Sequence, residues 1–259
     1  KVLVLGGGPA GMEAATIAAK RGHKVILWEK EENLGGKLLY ASIAPYKGEI
    51  ERLTRHLIKM LENSGAKTEL RKKGSPEEII KENPEVVVIA RGASPIIPNI
   101  PGVSGENVIT ALDALSGSKK VGGRVIIVGG GLVGCYISSS LFQRVEKVVI
   151  LEMLGRIAND LGPTARWVVL HRLRETGVRT ETKVEVAEIN KRGVKVRRDG
   201  NLELFEGDTV VLAVGMRSNN EIAKELEGKI KELHVIGDCA EPGQIREAIA
   251  GGFQVGIKV

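Results

Sequence analysis

Two sets of glycines carry the chemistry of this 259-residue sequence. Gly6, Gly8 and Gly11 have the spacing G-x-G-x-x-G, and Gly129, Gly131 and Gly134 repeat it 123 residues later. Each set is followed, 18 residues past its third glycine, by a glutamate, Glu29 in the first and Glu152 in the second. This spacing suits a dinucleotide. The first glycine permits a tight turn, the second lets backbone approach a phosphate without a Cβ, and the third lets a helix pack closely on a strand. Free N–H groups and the positive end of the helix dipole then face the pyrophosphate, and the acidic side chain accepts hydrogen bonds from ribose hydroxyls. A carboxylate at position 152 repels a 2′-phosphate, which favours NADH over NADPH, and Arg156 keeps that preference modest. A plainer reading stays open for some members: Gly7 and Gly130 could serve turn geometry alone, and either glutamate could be a solvated strand end.

The elements that must present these turns surround them. Val2 to Leu5 is an apolar run with the pattern of a buried parallel strand, Met12 to Lys20 is an alanine-rich helix ending near Gly22, and Lys24 to Trp28 is a second strand. The second set lies between a strand from Arg124 to Val128 and a helix to about Arg144, with Lys147 to Leu151 as the next strand. The chain therefore repeats a whole nucleotide-binding half, an α/β pattern. Gly48 to Asn63 has helical spacing, Glu85 to Ala90 is a buried strand, and the Pro-rich turn through Pro98, Pro101 and Gly102 marks a domain junction. Pro163 to Glu175 reads as a helix, and Lys183 to Phe205 as a β-meander with turns at Arg192-Gly193 and Asp199-Gly200. Asp208 to Val214 is a return strand, Leu233 to Ile236 a further one, and a helix follows Gly243. The expected organisation is a discontinuous first domain, residues 1–104 and 216–259, with 105–215 inserted as a second.

Hydrophobic residues at 42% and charged residues at 27% exclude a disordered or collagen-like chain. No apolar run approaches the ~18 residues of a spanning helix and the start lacks signal-peptide order, so a cytoplasmic, membrane-free protein is expected. Two cysteines are too few for a Cys₄ zinc site or a four-iron cluster, and 3% aromatic residues leave little stacking surface for nucleic acid. The net charge of +6 raises the prospect of anionic partners. Its excess lies in Arg71-Lys72-Lys73, Lys119-Lys120 and the stretch from Lys191-Arg192 to Arg197-Arg198, which read as solvated loops and a hairpin. The sequence starts at Lys1, one residue into a strand, and stops at Val259 on a helix, so a longer parent polypeptide is expected.

Beyond the two turns, Leu34-Gly35-Gly36-Lys37, Ala90-Arg91-Gly92-Ala93 and Ile236-Gly237-Asp238-Cys239 occur in the order seen in flavoprotein reductases with two dinucleotide-binding domains. More narrowly, Val128 to Cys135 (VGGGLVGC), Leu151 to Leu161 (LEMLGRIANDL) with Gly162-Pro163, and Val235 to Cys239 (VIGDC) resemble the C-terminal half of the 2,4-dienoyl-CoA reductase, 2-enoate reductase and trimethylamine dehydrogenase family. The resemblance implies two Rossmann-like, glutathione-reductase-like domains, each with a parallel sheet and a small β-meander. It implies that Gly6, Gly8, Pro9, Ala10 and Gly11, with Glu29 and Lys30, hold the ADP half of FAD. Gly36, Lys37, Ala90 and Gly92 would lie on the flavin side, and Gly237-Asp238 at the ribitol, with the helix after Gly243 aiming its N-terminus at the cofactor. On its own, an aspartate such as Asp238 is more often a helix or turn cap. Gly129, Gly131, Leu132, Val133 and Gly134, with Glu152, would take NADH and pass its hydride to FAD.

The resemblance further implies a partner: a TIM-barrel domain with FMN and an Fe-S cluster, or another electron-accepting subunit, on segments outside this sequence. Disulphide-reducing relatives carry a cysteine pair after the Gly-Gly segment, whereas Lys37 to Pro45 has no cysteine and Cys135 stands alone after Gly134. The cysteines read as small buried thiols, and His23, His56, His171 and His234 as scattered surface or interdomain residues, so no catalytic side chain and no metal ligand is assigned. Three departures stand out: Arg91 in place of a small Thr, Tyr136-Ile137-Ser138-Ser139-Ser140 in place of a Glu- and Ala-rich helix start, and Arg144-Val145-Glu146 without a closing glycine. They leave room for an alternative, a non-catalytic ADP-binding domain of the trimethylamine dehydrogenase type.

Overall fold

The computed structural model describes residues 1–43 and 47–259, so Pro45, the end of the cysteine-free stretch, lies outside the described residues. The chain divides into two compact units, one built from residues 1–42, 47–94 and 216–259 and the other mainly from Pro95–Gly215. Residues 95–104, grouped above with the first domain, belong to the second. Ile100 and Val103 pack on its core, and the carbonyl of Pro101 accepts from the N–H of Ile189 at 2.8 Å.

In the first unit a five-stranded parallel sheet runs in the order Glu232–Val235, Val86–Ile89, Val2–Leu5, Val25–Trp28, Lys67–Glu69. Both faces of the central strand are covered, which is why it is apolar at every position. Val2 and Val4 pack toward the helices Pro9–Lys20, Gly48–Glu62 and Ile245–Lys258. Leu3 and Leu5 pack toward Ile79, Ile222 and Leu226, carried on the short helices Pro76–Lys81 and Glu221–Leu226. Those helices stand where a meander was expected. Where the chain leaves and re-enters the first unit, Ala93–Pro95 pairs with Met216–Ser218 in a two-stranded ribbon, and Pro95 already belongs to the second unit.

The second unit repeats the plan with strand order Val108–Thr110, Thr209–Leu212, Arg124–Val128, Lys147–Glu152, Arg179–Thr182, again all parallel. Helices Ala111–Ser116, Leu132–Leu141 and Pro163–Glu175 cover one face. The other is closed by an antiparallel meander, Glu185–Asn190, Gly193–Arg198 and Asn201–Glu206, whose Ile189, Val194, Val196 and Phe205 bury against Ile126, Val128, Val149 and Leu151. Asp199 and Gly200, at φ +48° and +84°, form the two-residue turn that joins Arg198 to Asn201.

The basic stretches are largely neutralised locally. Arg192 pairs with Glu206 at 3.0 Å, Lys195 with Glu188 at 2.9 Å, and Arg71 with Glu32 at 2.7 Å. The ammonium of Lys72 lies over the Trp28 ring at 3.8 Å. No helix among the described residues is long and apolar enough to cross a membrane.

Candidate functional site

The first turn is shaped by backbone contacts that only glycine permits. Gly6 has φ +110°, and a Cβ there would stand 2.4 Å from the carbonyl oxygen of Ala90 on the neighbouring strand. A Cβ at Gly11 would stand 1.9 Å from the Gly6 carbonyl oxygen, so the helix Pro9–Lys20 rests directly on the turn. At Gly8 a Cβ would meet nothing within 4 Å. Gly8 is also the helix N-cap, with no side-chain cap and no acidic residue in the first turn. Pro9 has no N–H, and the orphan N–H groups that follow it at this helix start carry no side-chain cap, the arrangement an anion needs.

Glu29 is 6% exposed and holds this turn from the strand end: Oε2 accepts from the N–H of Gly7 at 2.6 Å, and Oε1 from the N–H of Glu31 at 2.8 Å. Gly7 thus has a role beyond turn shape, since a Cβ would also press on Leu34 at 2.4 Å. Gly36, at φ +54°, approaches Gly8 so closely that a Cβ would stand 3.1 Å from the Gly8 Cα. Lys37 follows directly and pairs with Asp238 at 2.7 Å. Gly237, at φ +59°, brings Asp238 to the same helix start, and a Cβ on it would stand 2.8 Å from the Ala10 Cβ. The other oxygen of Asp238 accepts from the N–H of Gly243 at 3.1 Å.

Gly92, at φ +68°, lies beside the Lys37 stem. Gly6, Gly8, Pro9, Ala10, Gly11, Gly36, Lys37, Ala90, Gly92, Gly237 and Asp238 are accordingly gathered around one helix N-terminus, while Lys30 points outward to pair with Glu31 at 3.2 Å. Arg91 turns to the carbonyl of Lys73 at 3.3 Å. The helix Ile245–Lys258 starts in a capping box, in which Glu247 folds back to accept from the N–H of Gln244 at 2.6 Å.

The second turn reproduces the first almost contact for contact. Gly129 has φ +107°, and Gly134 would bring a Cβ 2.0 Å from the Gly129 carbonyl oxygen. Glu152, 8% exposed, accepts from the N–H groups of Gly130 and Leu154, each at 2.7 Å. Leu132 and Val133 open the helix, with Gly131 as N-cap. Here, however, the N–H of Leu132 is already taken: both carboxylate oxygens of Asp160 lie 3.0 Å from it.

Tyr136 packs half-buried on the helical core, and Ser138, Ser139 and Ser140 donate back to carbonyls of Cys135 and Tyr136 at 2.7 to 3.0 Å. Three serines are tolerated in the helix because its own backbone satisfies them. The helix ends at Leu141, three residues earlier than expected.

Residues 1–252 match the family described as pyridine nucleotide-disulphide oxidoreductase. The chain belongs to that family. Among curated oxidoreductases it is 36% identical over 291 residues to a metal reductase of Desulforamulus reducens and 40% identical over 265 residues to an NADH oxidase of Thermoanaerobacter brockii. All of this chain is covered in both, but only 44% and 41% of those proteins. The chain therefore spans less than half the length of these relatives. Among solved structures, a 2-naphthoyl-CoA reductase in complex with 2-naphthoyl-CoA aligns with TM-score 0.96 and 31% identity over 100% of this chain and 40% of that one. The family resemblance drawn from the sequence motifs holds.

The disulphide of the oxidoreductase family's name has no counterpart in the cysteines present. Cys135 is fully buried in the second unit, and burial, with the charges of Asp160 and Glu152, pushes its thiol up to about 12. Cys239 is buried in the first unit and donates to the Asn219 carbonyl at 3.0 Å, and burial again raises its pKa. Neither is a thiolate at neutral pH. His171 stacks on Trp167 with ring centroids 5.2 Å apart, and His234 bonds to Glu232 at 2.6 Å.

Sequence reasoning missed the residues that clamp each turn from outside. The N–H of Gly35 donates to the Gly7 carbonyl at 2.8 Å, and that of Ala158 to the Gly130 carbonyl at 2.7 Å. These pairs keep the 123-residue offset of the glycines, as do Leu34 with Ile157 and Lys37 with Asp160. Extending the repeat past the glutamates is the signal that would have found them.

Proposed function

We propose that the chain is the electron-input part of a larger NADH-dependent flavoprotein reductase, with FAD on the first unit and NADH on the second. One observation carries the reading: the doubled glycine turn, each copy with a buried glutamate bonded to its second residue and, in the first copy, a helix N-terminus without a side-chain cap. The first turn fits the pyrophosphate of FAD, with Glu29 placed for a ribose, Lys37 supplying positive charge and Asp238 an acceptor for hydroxyls. Glu152 serves the second ribose and disfavours a 2′-phosphate, so NADH is preferred over NADPH. The chemistry that bound flavin and nicotinamide supply is hydride transfer, and the protein's part is to bind, orient and separate them.

The short span of this chain against its relatives supports a further domain or subunit as electron acceptor, which we assign as an FMN- and Fe-S-carrying TIM barrel. The test is the visible spectrum of the purified chain after incubation with FAD, then under anaerobic addition of NADH and separately NADPH. The reading expects a bound yellow flavin that bleaches faster with NADH. A chain that refuses FAD and copurifies with ADP overturns it in favour of a structural nucleotide-binding domain.

A further inference from the structure

We propose that Asp160 is an internal competitor for the pyrophosphate at the second glycine turn, and that it keeps this site exchangeable while the first holds its ligand. The inference rests on the assignment of that turn to NADH. Its ground is the register of the repeat. Residues 34–37 and 157–160 are fastened to their own turns in the same way: Gly35 to the Gly7 carbonyl at 2.8 Å, and Ala158 to the Gly130 carbonyl at 2.7 Å. The side chains of Leu34 and Ile157 fill the same place, 2.4 and 2.5 Å from where a Cβ on Gly7 or Gly130 would stand.

Three residues after the leucine comes Lys37, and three after the isoleucine comes Asp160. At the equivalent place the two copies therefore present opposite charges to the helix N-terminus. Asp160 is not there by chance of an idle loop. Ala158 holds φ +52°, unusual for a residue with a side chain, and Arg166 donates Nε–H to the Ile157 carbonyl at 2.9 Å, so the segment is pinned on both sides.

The consequence is a competition. The Asp160 carboxylate has both oxygens 3.0 Å from the N–H of Leu132 and lies 3.4 Å from where a Cβ on Gly131 would stand. A pyrophosphate approaching the second turn meets like charge at this helix start, beside the donor that Asp160 occupies. To bind, it must displace Asp160, and on release Asp160 reoccupies the donor. In the first unit no side chain caps the helix start, whose residue in register with Leu132 is Pro9, and the residue in register with Asp160 is a cation, Lys37, paired with Asp238. A ligand that must arrive and leave in every turnover suits the first arrangement poorly and the second well.

The experiment is a titration of NADH into the full 259-residue chain and its D160N and D160A variants, with dissociation rates by stopped flow and thermal melting as a check on folding. Asn keeps an acceptor for the Leu132 N–H and removes only the charge, whereas Ala removes both. The proposal expects both variants to bind NADH about two- to fivefold tighter, with slower release and a gain that fades with added salt. Unchanged or weaker binding in a folded variant overturns the competitor role alone. Failure of all three proteins to bind NADH, with FAD still bound, overturns the assignment of the second turn and the proposal with it.

Discussion

The backbone N–H of Gly7 donates to Oε2 of Glu29 at 2.6 Å, joining the phosphate turn to the end of the next strand within the first unit. Gly130 and Glu152 repeat it at 2.7 Å. The acidic residue of each turn is thus a strut, besides the ribose acceptor we propose it to be. It fixes the turn through a charge-assisted bond worth about 1.5–3 kcal/mol, and its remaining lone pairs are left for a ligand.

The glycines of the first turn separate binding from folding. A Cβ at Gly8 meets nothing and its φ of −76° suits alanine, so Gly8→Ala should melt within a few degrees of the parent. On the proposed FAD assignment its methyl stands on the path of the phosphates, and flavin fluorescence titration should show FAD affinity down at least about tenfold, on the scale of one lost charged hydrogen bond. Gly11→Ala drives a Cβ to 1.9 Å from a backbone oxygen and should lower stability by about 1–3 kcal/mol or more. Parent-like FAD binding in the Gly8 variant would exclude this turn as the phosphate site.

Glu152→Gln tests cofactor choice. Gln offers a single acceptor oxygen to two N–H donors, Gly130 and Leu154, so stability should fall by about 1–3 kcal/mol. The ratio of NADPH to NADH dissociation constants should move toward one as the repelling charge is lost. A ratio that does not move in the folded variant shows that discrimination lies elsewhere.

Cys135 gives the chain a stability slope at alkaline pH. Its thiol is pushed up to about 12 in the folded protein from an ordinary value of 9.0, so between these limits the folded state holds a proton that the unfolded state has lost. Stability contributed by this group is intact below pH 9 and declines as pH rises toward 12, at up to about 1.4 kcal/mol per unit. Urea midpoints measured from pH 8.5 to 10.5 should fall more steeply for the parent than for Cys135→Ala. Equal slopes would mean that the thiol is not buried as described.

The meander offers a paired test of turn geometry. Gly200 has φ +84° with nothing within 4 Å of a Cβ, so Gly200→Ala should cost about 1 kcal/mol, the conformational penalty alone. Gly193, at φ +139°, would place a Cβ 2.0 Å from the Phe205 carbonyl oxygen, and Gly193→Ala should cost several times as much by chemical denaturation.

What the sequence made legible was what repeats or saturates. Val2–Leu5 is apolar throughout because both faces are covered, and Pro163–Glu175 begins at a helix-starting proline, so each element announces itself. The glycines of both turns are legible by their spacing, and at Gly6, Gly11, Gly129 and Gly134 no side chain fits. Lys67–Glu69 and Arg179–Thr182 are not, since each forms one edge of its sheet and is too short and polar to show a period. Asp160 escapes for another reason: it is placed by a backbone bond at Ala158, and a backbone N–H leaves no mark in residue type. The meander expected on the first unit came from resemblance, and the short helices holding Ile79 and Leu226 do its covering instead.

The interruption of the first unit also fixes an order of assembly on the ribosome. Glu232–Val235 pairs with Val86–Ile89, and the helix Ile245–Lys258 seats Gly252 against Ala10 so closely that a Cβ would stand 2.3 Å from its carbonyl oxygen. Both elements are synthesised only after the whole of Pro95–Gly215. The nascent first sheet must therefore wait with Val86–Ile89 as an open apolar edge while the second unit, contiguous in sequence, is completed. Of these two units, the one whose synthesis begins first is the one whose sheet is completed last.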